Sequence, residues 1–199
     1  MLWKSSLNIV LSCILLLSSC ISEDKPSYVP KPKGFNRINL PAQGYQLFDD
    51  KTYPYSFEIS NSARALKDTN GLRGEYWAHI YYPGFKSTIE ITYEDLTKKG
   101  NELSKMLNIA HKLTAKHQIK ATKIEQTILK RKDGTSVAVF ELEGDVPSQF
   151  QFIYTDSSKH FLRGAIYFAT ATQNDSLAPV IEYMKKDVIQ LVNTIKWKK

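Results

Sequence analysis

Residues 149–168 read QFQFIYTDSSKHFLRGAIYF. Phe150, Phe152 and Tyr154 at every second position share one face and predict a strand over Gln149 to Tyr154, since successive side chains of a strand point to opposite faces. Asp156-Ser157-Ser158-Lys159 supplies turn chemistry and returns the chain into a second strand, Phe161 to Ala169. There Leu162, Ile166 and Phe168 share one face, and Gly164 between them marks a bulge or a place of close approach. The stretch is an antiparallel meander, and the rest of the domain is read outward from it.

Upstream, Ile124 to Lys130 and Val137 to Leu142 flank Arg131-Lys132-Asp133-Gly134, and Asp-Gly is a strong signal for a tight hairpin turn. Further back, Tyr55, Phe57 and Ile59 alternate with Ser56 and Glu58. The run Trp77 to Tyr82 turns at Pro83-Gly84 into Thr88 to Tyr93, where Ile89, Ile91 and Tyr93 share a face. Between the two hairpins, Leu96, Leu103, Met106, Leu107, Ala110, Leu113 and His117 recur at helical spacing. Gly100 costs a helix about 1 kcal/mol relative to Ala, which places the helix start near Asn101. The last segment, with Asp175 or Ser176 as N-cap, carries Val180, Ile181, Met184, Val188, Leu191, Val192 and Ile195 on one stripe. These elements predict an α+β domain: an antiparallel β-sheet with two amphipathic helices packed on it. Their order resembles a Mog1/PsbP-like sandwich.

The N-terminus has a different character. Lys4, the apolar run Ile9 to Leu17 and Leu17-Ser18-Ser19-Cys20 form a signal peptide over residues 1–19. Leu at −3 and small residues ahead of Cys20 resemble the lipobox of bacterial lipoproteins, in which that cysteine is lipidated, palmitate included, and becomes the first mature residue. The other reading is an ordinary secretory signal with Cys20 near the cut by chance. Residues 20–44 hold Pro26, Pro30, Pro32 and Pro41 with few aliphatic residues. They are expected to form an extended tether with no place in the core, leaving 45–199 as a single globular domain. Glu23 and Asp24 behind Cys20 serve solubility or, as in some Bacteroidota lipoproteins, sorting to the cell surface.

Composition narrows the function. Cys13 leaves with the signal peptide and Cys20 carries lipid, so the mature domain has no disulfide and must rest on its hydrophobic core. The formal charge is +7, but the lysines are scattered among acidic residues and are not interleaved with aromatics, which argues against a nucleic-acid partner. His79, His111, His117 and His160 make no pair at metal-ligand spacing, and no HExxH, GxSxG, GxxxxGK or GxGxxG motif occurs. No cofactor or metal is expected, and an enzyme reading rests only on scattered carboxylates such as Glu141 and Glu143. Tyr76, Trp77, Tyr81, Tyr82 and Phe85 are the candidate partner or ligand surface. Core and cross-strand packing is the competing account of the same aromatics.

The lipobox with PKPKG at 30–34, YWAHIYYPGFKSTIEITY at 76–93, QFQFIYTDSSKHFLRGAIYF at 149–168 and DSLAPVIEYMKKDV in the final helix together resemble the gliding motility lipoprotein GldD family of the Bacteroidota. The resemblance implies a non-enzymatic cell-envelope lipoprotein, anchored to the membrane through its N-terminal lipid; the domain is expected to face the periplasm. It further implies a requirement in gliding motility, with support for the assembly or stability of partner lipoproteins of the gliding and type IX secretion machinery. The residues alone leave open an envelope lipoprotein that binds a small ligand through an aromatic-lined groove.

Overall fold

A computed structural model describes residues 34, 37–67, 74–169 and 174–198, the side chains of 174 and 175 excepted. The signal segment, Cys20, the acidic pair and the tether as far as Lys33 lie outside the described residues, as does the side chain of Asp175. The chain divides into two units, Met1–Phe35 and Asn36–Lys199, and the elements below all belong to the second.

Period-two alternation builds the main sheet. In β4 (Ala78–Tyr82) and β5 (Ser87–Asp95) the residues Ala78, Ile80, Tyr82, Ile89, Ile91 and Tyr93 are all buried on one face, paired in the register Ile80↔Ile89. The hairpin expected on either side of Asp133-Gly134 is β6 (Ala121–Lys130) with β7 (Ser136–Gly144), and Gly134 has φ +83 in its turn. The opening stretch forms β8 (Phe150–Thr155) and β9 (His160–Phe168). With β3 (Arg64–Lys67) at one edge, the seven-stranded order is β3-β4-β5-β9-β8-β7-β6, antiparallel throughout. Two meanders therefore meet at the sheet centre, where β5 and β9 pair from Ser87↔Phe168 to Asp95↔His160.

Each face of this sheet has its own cover. Helix α1 (Leu103–Ala115) crosses from β5 to the far edge and packs Met106 and Ala110 on Phe140, Leu142, Ile153 and Phe161. On the opposite face lie α2 (Asn174–Thr194) and a small sheet of β1 (Tyr45–Phe48), β2 (Tyr55–Ser60) and β10 (Lys196–Trp197), in the order β1-β2-β10. All seven apolar residues of the expected α2 stripe are buried. The helix starts at Asn174, ahead of the expected cap. The stripe of α1 needs correction: Leu113 is at the exposed limit, and Thr114 is buried in its place, donating to Ala110 O and Gln151 Oε1. The chain leaves the α-helix at Ala115 for a 3-10 turn, Lys116–Ile119, so His117 drops out of the stripe. The tether expectation is corrected at its end, because Ile38 packs on the core.

Gly164 is a close approach and not a bulge, since the β8–β9 register runs unbroken through Phe152↔Gly164. A Cβ at this position would lie 2.1 Å from Phe152 Cε1 and 2.4 Å from Cζ, and Phe152 is fully buried. Gly164→Ala is expected to destabilise by about 1 to 3 kcal/mol through overpacking. Urea denaturation checks this, and an unchanged midpoint would show that the Phe152 ring can swing aside.

The stripe of α2 contains one carboxylate, Asp187, 2% exposed. Tyr82 donates its hydroxyl to Oδ2 at 3.1 Å and Gln43 its amide to Oδ1 at 3.5 Å, with Ser60 and Tyr45 as further donors. Burial raises this carboxyl above its ordinary 3.8, and the donors only partly oppose the rise. A folded carboxyl with a raised pKa binds a proton that the unfolded chain has already released. Its contribution to stability is therefore full below about pH 3.8 and falls as pH rises through the folded value. Asp187→Asn is expected to flatten this part of the stability–pH curve, as measured by thermal melts across acidic pH; an unaltered slope would place the titration elsewhere.

Candidate functional site

Alternation along β4 divides the five aromatic candidates between two faces. Tyr82 points inward, is 1% exposed and is engaged with Asp187. Phe85 follows it, stacked on Tyr82 at 6.1 Å and edge-on to Tyr183 at 5.4 Å, where it closes the core against α2. Trp77 and Tyr81, at odd positions, turn to the face covered by α1, with Trp77 Nε1 donating to Tyr93 O at 3.3 Å. Tyr76 stays on the inner side and stands at the mouth of a cleft of about 460 Å³.

The cleft is formed where the small sheet meets one end of the main sheet. The β1–β2 turn brings Lys51 and Tyr53, β5 brings Tyr93 and Asp95, the start of β9 brings Lys159 and His160, and the chain end brings Lys198. Lys198 is held by Asp49 at 2.6 Å and by Asp50 O at 2.7 Å. Tyr76 has φ 63, a left-handed backbone that is unusual for a bulky residue and clusters at functional positions. Two core tyrosines hold it there: Tyr55 donates to Tyr76 O at 2.6 Å and Tyr53 to Trp77 O at 3.3 Å. The Tyr76 ring meets Tyr93 edge-on at 5.8 Å.

A ladder of rings runs inward from the cleft. His160 stacks on Trp197 at 4.6 Å, and Trp197 stacks on Tyr154 at 5.1 Å. Tyr93 Oη and His160 Nδ1 are 2.7 Å apart. Burial lifts the Tyr93 hydroxyl to about 12, and burial lowers the imidazole below its ordinary value while Asp156 and Asp95 oppose that shift. A protonated phenol and a neutral imidazole share that hydrogen bond, whose direction follows the histidine tautomer. Asp95 is kept well ionised by the hydroxyl and amide of Thr97. The cleft thus presents a rigid aromatic wall, a neutral histidine, a carboxylate and lysines at the rim, an arrangement for recognition. Of the five aromatic candidates, Tyr76 lines this cleft; Tyr53, Tyr93 and His160 line it too, but they come from separate strands and leave no common signature in the sequence. Among the described residues no group of three or more His, Cys, Asp or Glu side chains is placed to hold a metal, and no helix is long and apolar enough to cross a membrane.

Comparison with known proteins adds an identity. No curated protein matches the chain. It is similar to the solution structure of cyanobacterial PsbP (CyanoP) from Synechocystis sp. PCC 6803, at 11% identity and a TM-score of 0.45, over 81% of this chain and 97% of that one. The family model described as gliding motility lipoprotein GldD matches residues 25–197. That span holds every strand and both helices of the described residues, so the chain belongs to the gliding motility lipoprotein GldD family, a family of membrane-anchored lipoproteins of the cell envelope.

Proposed function

We propose that this lipoprotein, anchored through lipid on Cys20 and facing the periplasm, supports assembly or stability of the gliding and type IX secretion machinery by holding a partner lipoprotein at the Tyr76 cleft. The observation that carries the reading, beside family membership, is the left-handed Tyr76 pinned by Tyr53 and Tyr55. Backbone strain held by core hydroxyls presents one aromatic ring at the rim of a preformed cleft, and a preformed surface lowers the ordering cost of association. Lys51 and Lys159 beside it favour an acidic, extended partner segment.

Tyr76→Gly separates function from folding, because glycine accepts a positive φ without strain while the ring is lost. Deleting the gene is expected to abolish spreading and to lower the level of a partner envelope protein. The Tyr76→Gly protein is expected to accumulate normally and fail to restore either. Normal spreading with this variant overturns the cleft assignment, and normal spreading with unchanged partner levels on deletion overturns the assembly role. The anchor has its own readout: labelled palmitate enters the wild-type protein, whereas Cys20→Ser leaves an unlabelled precursor. The 460 Å³ volume favours a second reading, a small ligand in the same aromatic-lined cleft. Native mass spectrometry of the purified protein with no partner captured from a membrane extract would select that reading.

A further inference from the structure

On the other face of the sheet, between α1 and the β4–β5–β9 strands, lies a second cavity of about 270 Å³ with apolar walls that include Trp77, Met106, Ile109 and Phe161. Three charged residues line it: Arg163 on β9, Glu94 on β5 and the exposed Lys105 of α1. Arg163 is 8% exposed, and among the described residues it has no ion-pair partner. Its Nη2 donates to Gln151 Oε1 at 2.6 Å, an oxygen that also accepts from Thr114 Oγ1 at 3.0 Å and carries no charge to offset the guanidinium. Gln151 Nε2, in the same buried group, has no partner.

Glu94 is likewise without an ion pair among the described residues. Its Oε2 accepts from Asn101 Nδ2 at 3.2 Å. The register sets the two charges diagonally, Thr92 opposite Arg163 and Glu94 opposite Phe161, at about 7 to 8 Å between backbones, and no ion pair forms between them. Neutral amides, Gln151 and Asn101, then hold each head group in place. Buried charges are paired in most proteins, and a cavity walled by a separated guanidinium and carboxylate leaves that pairing to an occupant. The remaining polar groups of the wall are engaged, Thr92 Oγ1 with Arg163 O at 3.3 Å and Lys105 Nζ with Gly100 O at 2.8 Å.

We propose that this cavity binds a small zwitterion with an apolar body, an α-amino acid bearing an apolar side chain, its carboxylate on Arg163, its ammonium on Glu94 and its side chain among Trp77, Met106 and Phe161. The cavity is smaller than the roughly 300 to 1,000 Å³ of pockets for drug-sized ligands, which restricts the occupant to a single small molecule. This site shares no side chain with the Tyr76 cleft, so its failure leaves the assembly reading untouched.

The test is titration of the full-length protein in detergent with phenylalanine, phenylpropionate and phenethylamine, followed by calorimetry and by Trp77 fluorescence. Phenylalanine is expected to bind and to change the fluorescence, with each single-charge analogue weaker by about tenfold or more, the loss of one charge-assisted contact. Arg163→Met should abolish binding. Because that variant removes a buried side chain and risks the fold, Glu94→Gln on a half-buried position provides the second arm and should weaken phenylalanine while sparing phenylpropionate. No binding of phenylalanine at about millimolar concentration, or phenylpropionate binding as tightly as phenylalanine, overturns the proposal.

Discussion

Replacing Arg131 by alanine is expected to destabilise the domain by about 3 to 5 kcal/mol, because several buried acceptors lose a charged donor at once, at about 1 to 3 kcal/mol each. Arg131 follows β6 in the turn to β7, yet its side chain is buried and reaches the end of α2. Its Nη2 donates to Ile195 O at 2.6 Å and Asn193 O at 3.4 Å, carbonyls at the C-terminal end of that helix. Nη1 donates to Tyr154 Oη and to Thr135 Oγ1, the latter at 3.1 Å, and pairs with Asp133 at 3.1 Å. A cation at a helix C-terminus is favourable because unsatisfied carbonyls concentrate negative potential there. Truncation leaves those acceptors buried and unpaired. Equilibrium denaturation measures the loss, and Arg131→Lys should recover little of it, since one ammonium cannot reproduce a planar fork that serves five acceptors. A loss below about 1 kcal/mol would mean that water replaces the guanidinium at the helix end.

Leu191→Ala is expected to cost about 2 to 5 kcal/mol. Leu191 is 1% exposed in the core between α2 and the β-strands, and removal of its isobutyl group takes away transfer free energy and leaves a cavity that close-packed neighbours fill only in part. The same denaturation experiment checks it. A cost under about 1 kcal/mol would mean that α2 shifts to close the space, and the position within 2 to 5 reports how rigidly the small sheet and β4–β5 hold the helix.

Much of this architecture is local and was readable as such. Ile89, Ile91 and Tyr93 share a buried face because a strand repeats every two residues, and Val180 to Ile195 share one because a helix repeats every 3.6. Asp133-Gly134 makes its hairpin turn, and Gly100, at φ +93, stands outside α1 as expected from its poor helix propensity. The short strands β1, β3 and β10 escaped notice: with two to four residues each, they exist only because a longer neighbour offers free backbone groups.

By itself, then, the sequence determined the α+β class, the hairpins, both helices, the face of α2 that is buried and the family. Only the tertiary structure decided that β9 docks on β5, that Tyr76 leaves its aromatic neighbours to join Tyr93 and His160, and that Arg131 reaches from a turn to the end of a helix more than sixty positions away. The physical reason is the range of the forces that select each feature. Periodicity and turn propensity act over a few residues and leave their mark in the order of amino acids. The pairing of strands distant in sequence, and the neutralisation of a buried charge, depend on which groups meet after collapse, and a side chain's type does not name the partner it will find there.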